Sequence, residues 1–154
     1  MPDTFKALKL NCSLNNVKAI IVNKALWSKA TKLSFHTSKL KNMYLYGLSH
    51  SELPIHTRQT ITAVTLDSIM EMYSIPKVDL IKIDAEGAEY EVLLGAKKIL
   101  TKTQHLYVEC RKDLEQIVKD YLREHGFICI RWEVPHAVHL LCVNARCKKM
   151  QKSA

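Results

Sequence analysis

Phe5, Leu8 and Leu14 recur near one face of a helix that opens at Pro2, a residue suited to a first helical position, and Asn15-Asn16 ends it. Residues 17–22 form an apolar, β-branched run of strand length, with Ala25-Leu26-Trp27 close behind. Leu33-Ser34-Phe35-His36 alternates as a half-exposed strand does. Residues 37–60 are polar, hold Gly47, Pro54 and two histidines, and read as one long loop. Ile61-Thr62-Ala63-Val64 is a short strand, and Thr65-Leu66-Asp67-Ser68 starts a short helix.

The centre of the chain is more sharply patterned. Val78-Asp79-Leu80-Ile81-Lys82-Ile83-Asp84 is a strand that closes on a carboxylate, and Tyr90, Val92, Leu93 and Leu94 carry a helical apolar face up to Gly95. Leu106-Tyr107-Val108-Glu109 is a second strand ending in an acid. Residues 113–124 are amphipathic through Leu114, Ile117, Val118, Tyr121 and Leu122, and Gly126 stops that helix. Residues 127–132 and 138–143 are two strands around Pro135, a terminal hairpin. The alternation predicts an open α/β sheet, largely parallel, with an antiparallel end. Ligands of such sheets gather outside the carboxyl ends of strands, where Asp84 and Glu109 stand.

Composition narrows the chemistry. A chain of 154 residues, 47% apolar and 25% charged, has the size and balance of one folded domain spanning 1–154. Its four glycines, Gly47, Gly87, Gly95 and Gly126, are too far apart for either glycine-rich phosphate loop. No serine sits in a hydrolase elbow. The net charge of +8 suits an anionic partner, yet the basic residues are scattered without aromatic partners, which argues against nucleic acid. Five cysteines form no Cys-x-x-Cys, and Cys129 and Cys142 lie in apolar runs as small hydrophobes. The expectation is a reducing, cytoplasmic setting, with no metal site, no signal peptide and no membrane span. His136 and His139 share a turn and strand, but solvated histidines are the default.

The segment Lys82-Ile83-Asp84-Ala85-Glu86-Gly87-Ala88-Glu89-Tyr90-Glu91 places four carboxylates within eight residues. Glu89 and Glu91 are expected on the exposed first turn of the helix, whose dipole favours anions. Asp84 closes an apolar strand at the sheet crevice. There it either caps the next helix or serves a ligand, by accepting a hydrogen bond or a hydroxyl proton.

That segment, followed by Leu93-Leu94-Gly95-Ala96, resembles the FkbM-type methyltransferase family. Phe5-x-x-Leu8-x-x-Asn11 with Asn15, Asn23-x-Ala25-Leu26, Thr65-Leu66-Asp67, Val108-Glu109 and His125-Gly126-Phe127 agree with it. The resemblance implies a Rossmann-like, S-adenosylmethionine-dependent methyltransferase acting on an oxygen of a sugar or small metabolite. It places Asp84 and Glu86 beside the cofactor methyl and the acceptor, and Ala25 and Leu26 near the adenine. Lys82 is either a charge partner of Asp84 or a sheet-face lysine. Glu109, at the next strand end, is a candidate for substrate contact.

Members of that family open with a strand ending in a glycine-rich turn, a helix, and a second strand ending in Glu-Pro. Here the chain opens at Met1-Pro2, so the expectation is a sheet lacking its first two strands and an incomplete cofactor site. Residues 78–84 would then expose a hydrogen-bonding edge. Either residues 17–22 pair against it, or the chain forms a homodimer through it, or, as the resemblance favours, the chain is an N-terminally truncated member of the family. The alternative to an enzyme is a non-catalytic oligomeric or nucleic-acid-binding remnant of the fold.

Overall fold

The computed structural model describes residues 2–40, 43–47 and 55–146, with side chains for residues 4–34 and 60–146. Helix α1 (Pro2–Leu14) starts on its proline and stops where Asn16 takes a left-handed φ of 53°, while the Asn15 side chain donates to the Asn11 carbonyl at 2.8 Å. Residues 17–24 then run without regular structure. The expected strand at 17–22 does not form, and Val17 and Ile20 are exposed. An apolar run becomes a strand only when a neighbour takes its backbone groups, and none of the described strands does so.

The strands build two sheets instead of the one expected. The first orders β1 (Ala25–Leu26), β4 (Ile55–Val64), β2 (Thr31–Leu40) and β3 (Met43–Gly47). Strands β1 and β4 are parallel through Ala25 and Ala63; β4–β2 and β2–β3 are antiparallel. Much of the expected 37–60 loop is therefore strand, and the rest of it lies outside the described residues. Threonines and tyrosines are strand formers despite their polarity, and polarity is what made this segment read as a loop.

The second sheet orders β5 (Val78–Asp84), β6 (Thr103–Cys110), β8 (Val138–Asn144) and β7 (Phe127–Glu133). Only β5 and β6 are parallel; β6–β8 and β7–β8 are antiparallel. The largely parallel sheet expected from the alternation is thus corrected to one parallel pair per sheet. The terminal hairpin forms as read, and β5 stands at the sheet's end, paired on one side by β6.

One face of this second sheet carries the core. Ile83, Leu106, Val108 and Leu140 point from it toward α3 (Glu89–Leu94), α4 (Lys97–Leu100) and α5 (Glu115–Glu124), meeting Val92, Leu93, Leu100, Val118 and Leu122. Helix α2 (Leu66–Met72) bridges the sheets. Thr65 caps it by accepting the Ser68 amide at 3.1 Å, and Asp67 reaches over to accept the amides of Lys98 and Ile99 at 3.0 and 2.9 Å. Cys129 and Cys142 are register partners across β7 and β8, and they are joined as a disulfide. This corrects their reading as separate thiols: thirteen residues of sequence separate two sulfurs that the hairpin sets side by side. The cysteines thus no longer argue for a reducing compartment. Among the described residues, no helix is long and apolar enough to cross a membrane.

Candidate functional site

Strand β5 delivers Lys82 and Asp84 to one side of the sheet, two residues apart and so on the same face. The Lys82 ammonium donates to Asp84 Oδ2 at 2.8 Å, which settles its alternatives in favour of a charge partner. Asp84's hydrogen bond and charge raise the Lys82 pKa above its ordinary value. Asp84 does not cap a helix. The residue before α3 is Ala88, which makes no side-chain cap.

Beyond Asp84 the backbone turns sharply. Glu86 and Gly87 take left-handed φ values of 51° and 98° in succession. Gly87 adopts this freely, whereas a non-glycine residue there stores backbone strain, a feature that clusters at functional sites. The turn leaves two amides facing inward, and Glu89 Oε1 accepts from Ala85 and Gly87 at 3.0 Å each. Glu89 is 1% exposed, so its expected place on a solvated first turn is corrected. The sequence signal for that role is Gly87, three residues after Asp84, which marks a turn whose amides need an acceptor.

A cavity of about 500 Å³ opens beside this turn, between the two sheets. Its polar wall is Lys82, Asp84 and Glu86. Its apolar wall is Ala25 and Leu26 of β1, with Ile61, Leu66, Ile83 and Val92. Five of the six candidate residues therefore meet at one place. Leu26 and Ala25 are held there because Gly95, at the end of α3, packs against the Trp27 carbonyl so closely that a Cβ would overlap it.

Glu109 does not line that cavity. It lines a smaller one of about 180 Å³ that shares Asp84 and Glu86 and adds Glu89, Arg111 and His136. Glu109 is the register partner of Asp84 on β6. Its carboxylate lies 3.8 Å from His139 Nδ1, which shares a 2.7 Å hydrogen bond with the Tyr107 hydroxyl. His139 is thus held in a polar network on β8 and not solvated as expected. Cys110 lies behind this cavity, and burial first, then the charge of Glu89, pushes its thiol up to about 11. Among the described residues, no group of three or more His, Cys, Asp or Glu side chains is arranged to hold a metal ion.

The sequence pattern of the methyltransferase FkbM domain matches residues 1–129. The chain is also similar to a hexuronic acid methyltransferase, AglP, of Haloferax volcanii: 29% identical over 108 residues, covering 70% of this chain and 43% of the relative. The chain therefore spans less than half the length of the curated relative it matches. No solved structure matches it.

Proposed function

Because this chain belongs to the FkbM methyltransferase family, we propose that it transfers a methyl group from S-adenosylmethionine to an oxygen of a sugar or small metabolite, at the cavity beside Asp84. One observation carries the reading: residues far apart in sequence, Ala25 and Leu26 on one sheet, Lys82 and Asp84 on the other and Glu86 in the turn after it, line the same 500 Å³ space. A pocket of that size, mostly apolar with a few convergent polar groups, suits a nucleoside-sized ligand. We read the second sheet with α3 and α5 as a Rossmann-like half to which the first sheet adds the adenine-side wall.

The lining fits the cofactor at two points, while the glycine-rich turn and ribose-binding acid that the resemblance calls for have no counterpart among the described residues, so the site is proposed as a partial one. Leu26, Ile61 and Leu66 offer an apolar wall for a flat purine, and the Asp84 and Glu86 carboxylates favour a sulfonium charge. The cofactor, when bound, supplies an electrophilic methyl group. Asp84 is positioned to accept the hydroxyl proton of the acceptor, and Lys82 fixes the orientation of that carboxylate by its 2.8 Å hydrogen bond. Glu109, in the adjoining cavity that shares Asp84 and Glu86, is positioned to accept a hydrogen bond from the acceptor. The sugar acid named for the Haloferax relative supports a sugar as acceptor class.

Incubating the chain with methyl-labelled S-adenosylmethionine and a panel of hexoses and uronic acids tests this. Label in a sugar product, reduced by about 10²–10⁴-fold in Asp84→Asn, is the expected result. Label in no product, or equal label with the variant, contradicts it.

A further inference from the structure

The second sheet has two faces, and among the described residues only one is covered by helices. Leu80, Lys82 and Asp84 of β5 share the other face with Tyr107 and Glu109 of β6, His139 and Leu141 of β8, and Ile128, Ile130 and Trp132 of β7. The exposures there are large: Leu80 56%, Ile128 64%, Ile130 63%, Trp132 40% and Leu141 40%. A sheet with one solvated face shows polar residues on it. Strand β7 does the reverse. Its residues Arg131 and Glu133 point to the helix side, where Arg131 is paired with Glu115 at 2.7 Å, while its isoleucines and tryptophan face outward.

We propose that this bare face closes against the same face of a second copy of this chain, around a two-fold axis. Three observations support that occupant. The first is size. Four strands of seven or eight residues give a face of roughly 400 Å² in plan, and with side chains standing out of the plane two copies reach the ~1,000 Å² that a specific interface must bury. The second is chemistry: exposed Leu80, Ile128, Ile130 and Leu141 lie at the rows of the face away from Asp84 and Glu109, so an apolar patch meets its own copy there, as an isologous contact requires, and the carboxyl ends of β5 and β6 stay open. The third is rigidity. Trp132 lies flat on the buried His139 ring, centroids 5.3 Å apart and planes 8° apart, and Tyr107 is tied to the same ring. The flat aromatic surface is held in place before any partner arrives, which lowers the ordering cost of binding. This face-to-face contact replaces the edge pairing through residues 78–84 that the sequence suggested.

Sedimentation of the 154-residue chain across a micromolar concentration series tests the proposal. The expected result is a species of twice 17.7 kDa that Ile130→Lys converts to monomer while its circular dichroism stays unchanged, since that side chain is 63% exposed, and its melting temperature falls to that of the wild type at dissociating dilution. A wild-type monomer throughout the series overturns the proposal, as do open-ended aggregates. A dimer that survives Ile130→Lys also overturns it, and points to the edge of β5, to exposed Leu10 and Leu14 of α1, or to a bridge through Cys12.

Discussion

The Glu89 carboxylate accepts the Gly87 amide hydrogen at 3.0 Å, folding the helix start back onto the turn that follows Asp84. The same oxygen holds the Ala85 amide, so one buried acid fixes both sides of Glu86. Glu89→Ala leaves two amides without a partner, at roughly 1–3 kcal/mol each. Urea unfolding of that variant is expected to show a loss of about 2–6 kcal/mol for the two together, and Glu89→Gln, which keeps an acceptor oxygen, a smaller one.

Gly95 is constrained from a different direction. Its neighbour is the Trp27 carbonyl, and the backbone carrying Ala25 and Leu26 leads straight into that contact. Gly95→Ala is expected to cost about 1–3 kcal/mol by overpacking, and to weaken cofactor binding by shifting the cavity's apolar wall. Comparing the unfolding midpoint with ligand affinity for this one variant checks both effects.

The sequence showed the carboxyl end of β5 well and its surroundings poorly. Asp84 was legible because an apolar strand ending in an acid is a local pattern, whereas Glu86 and Lys82 entered as site residues through the family resemblance. Thr65 before Leu66-Asp67 was equally local, and its cap forms. The two-sheet arrangement was not legible, because Ala25 pairs with Ala63 and Leu26 with Val64, partners nearly forty residues away that no periodicity reveals. The run at 17–22 misled for the related reason that strand propensity is realised only beside a partner. The bare face was hidden too: alternation along β7 is visible, but which side faces the helices depends on its pairing with β8.

Acid stability reports on the tie between α5 and β7. The Arg131 hydrogen bond, more than that from Lys119, holds the Glu115 carboxyl below its ordinary 4.5. A depressed carboxylate contributes stability above its unfolded pKa and loses it as pH falls through the folded one. Glu115→Gln is therefore expected to be less stable than the wild type at neutral pH, with the two unfolding midpoints converging as the pH drops below about 4. Urea midpoints measured across that range check the sign.

The thiols are expected to separate by reactivity. Cys110, buried and pushed up to about 11, keeps about one part in a thousand as thiolate at pH 8. In the folded chain iodoacetamide is expected to label Cys12 and leave Cys110 unmodified until denaturant is added. Cys129 and Cys142 are expected to resist labelling until a reductant opens their bond. Peptide mass spectrometry resolves these four separately from the fifth, Cys147, which lies outside the described residues.

The central claim is that the cavity beside Asp84 receives S-adenosylmethionine, and calorimetric titration of the chain with that cofactor tests it most directly. Losing a charge-assisted contact of about 1.5–3 kcal/mol corresponds to about 10–100-fold in affinity. The account predicts saturable heat with the wild type and a weakening of that size in Asp84→Asn. No heat from the wild-type chain, or the same affinity in both proteins, would contradict it.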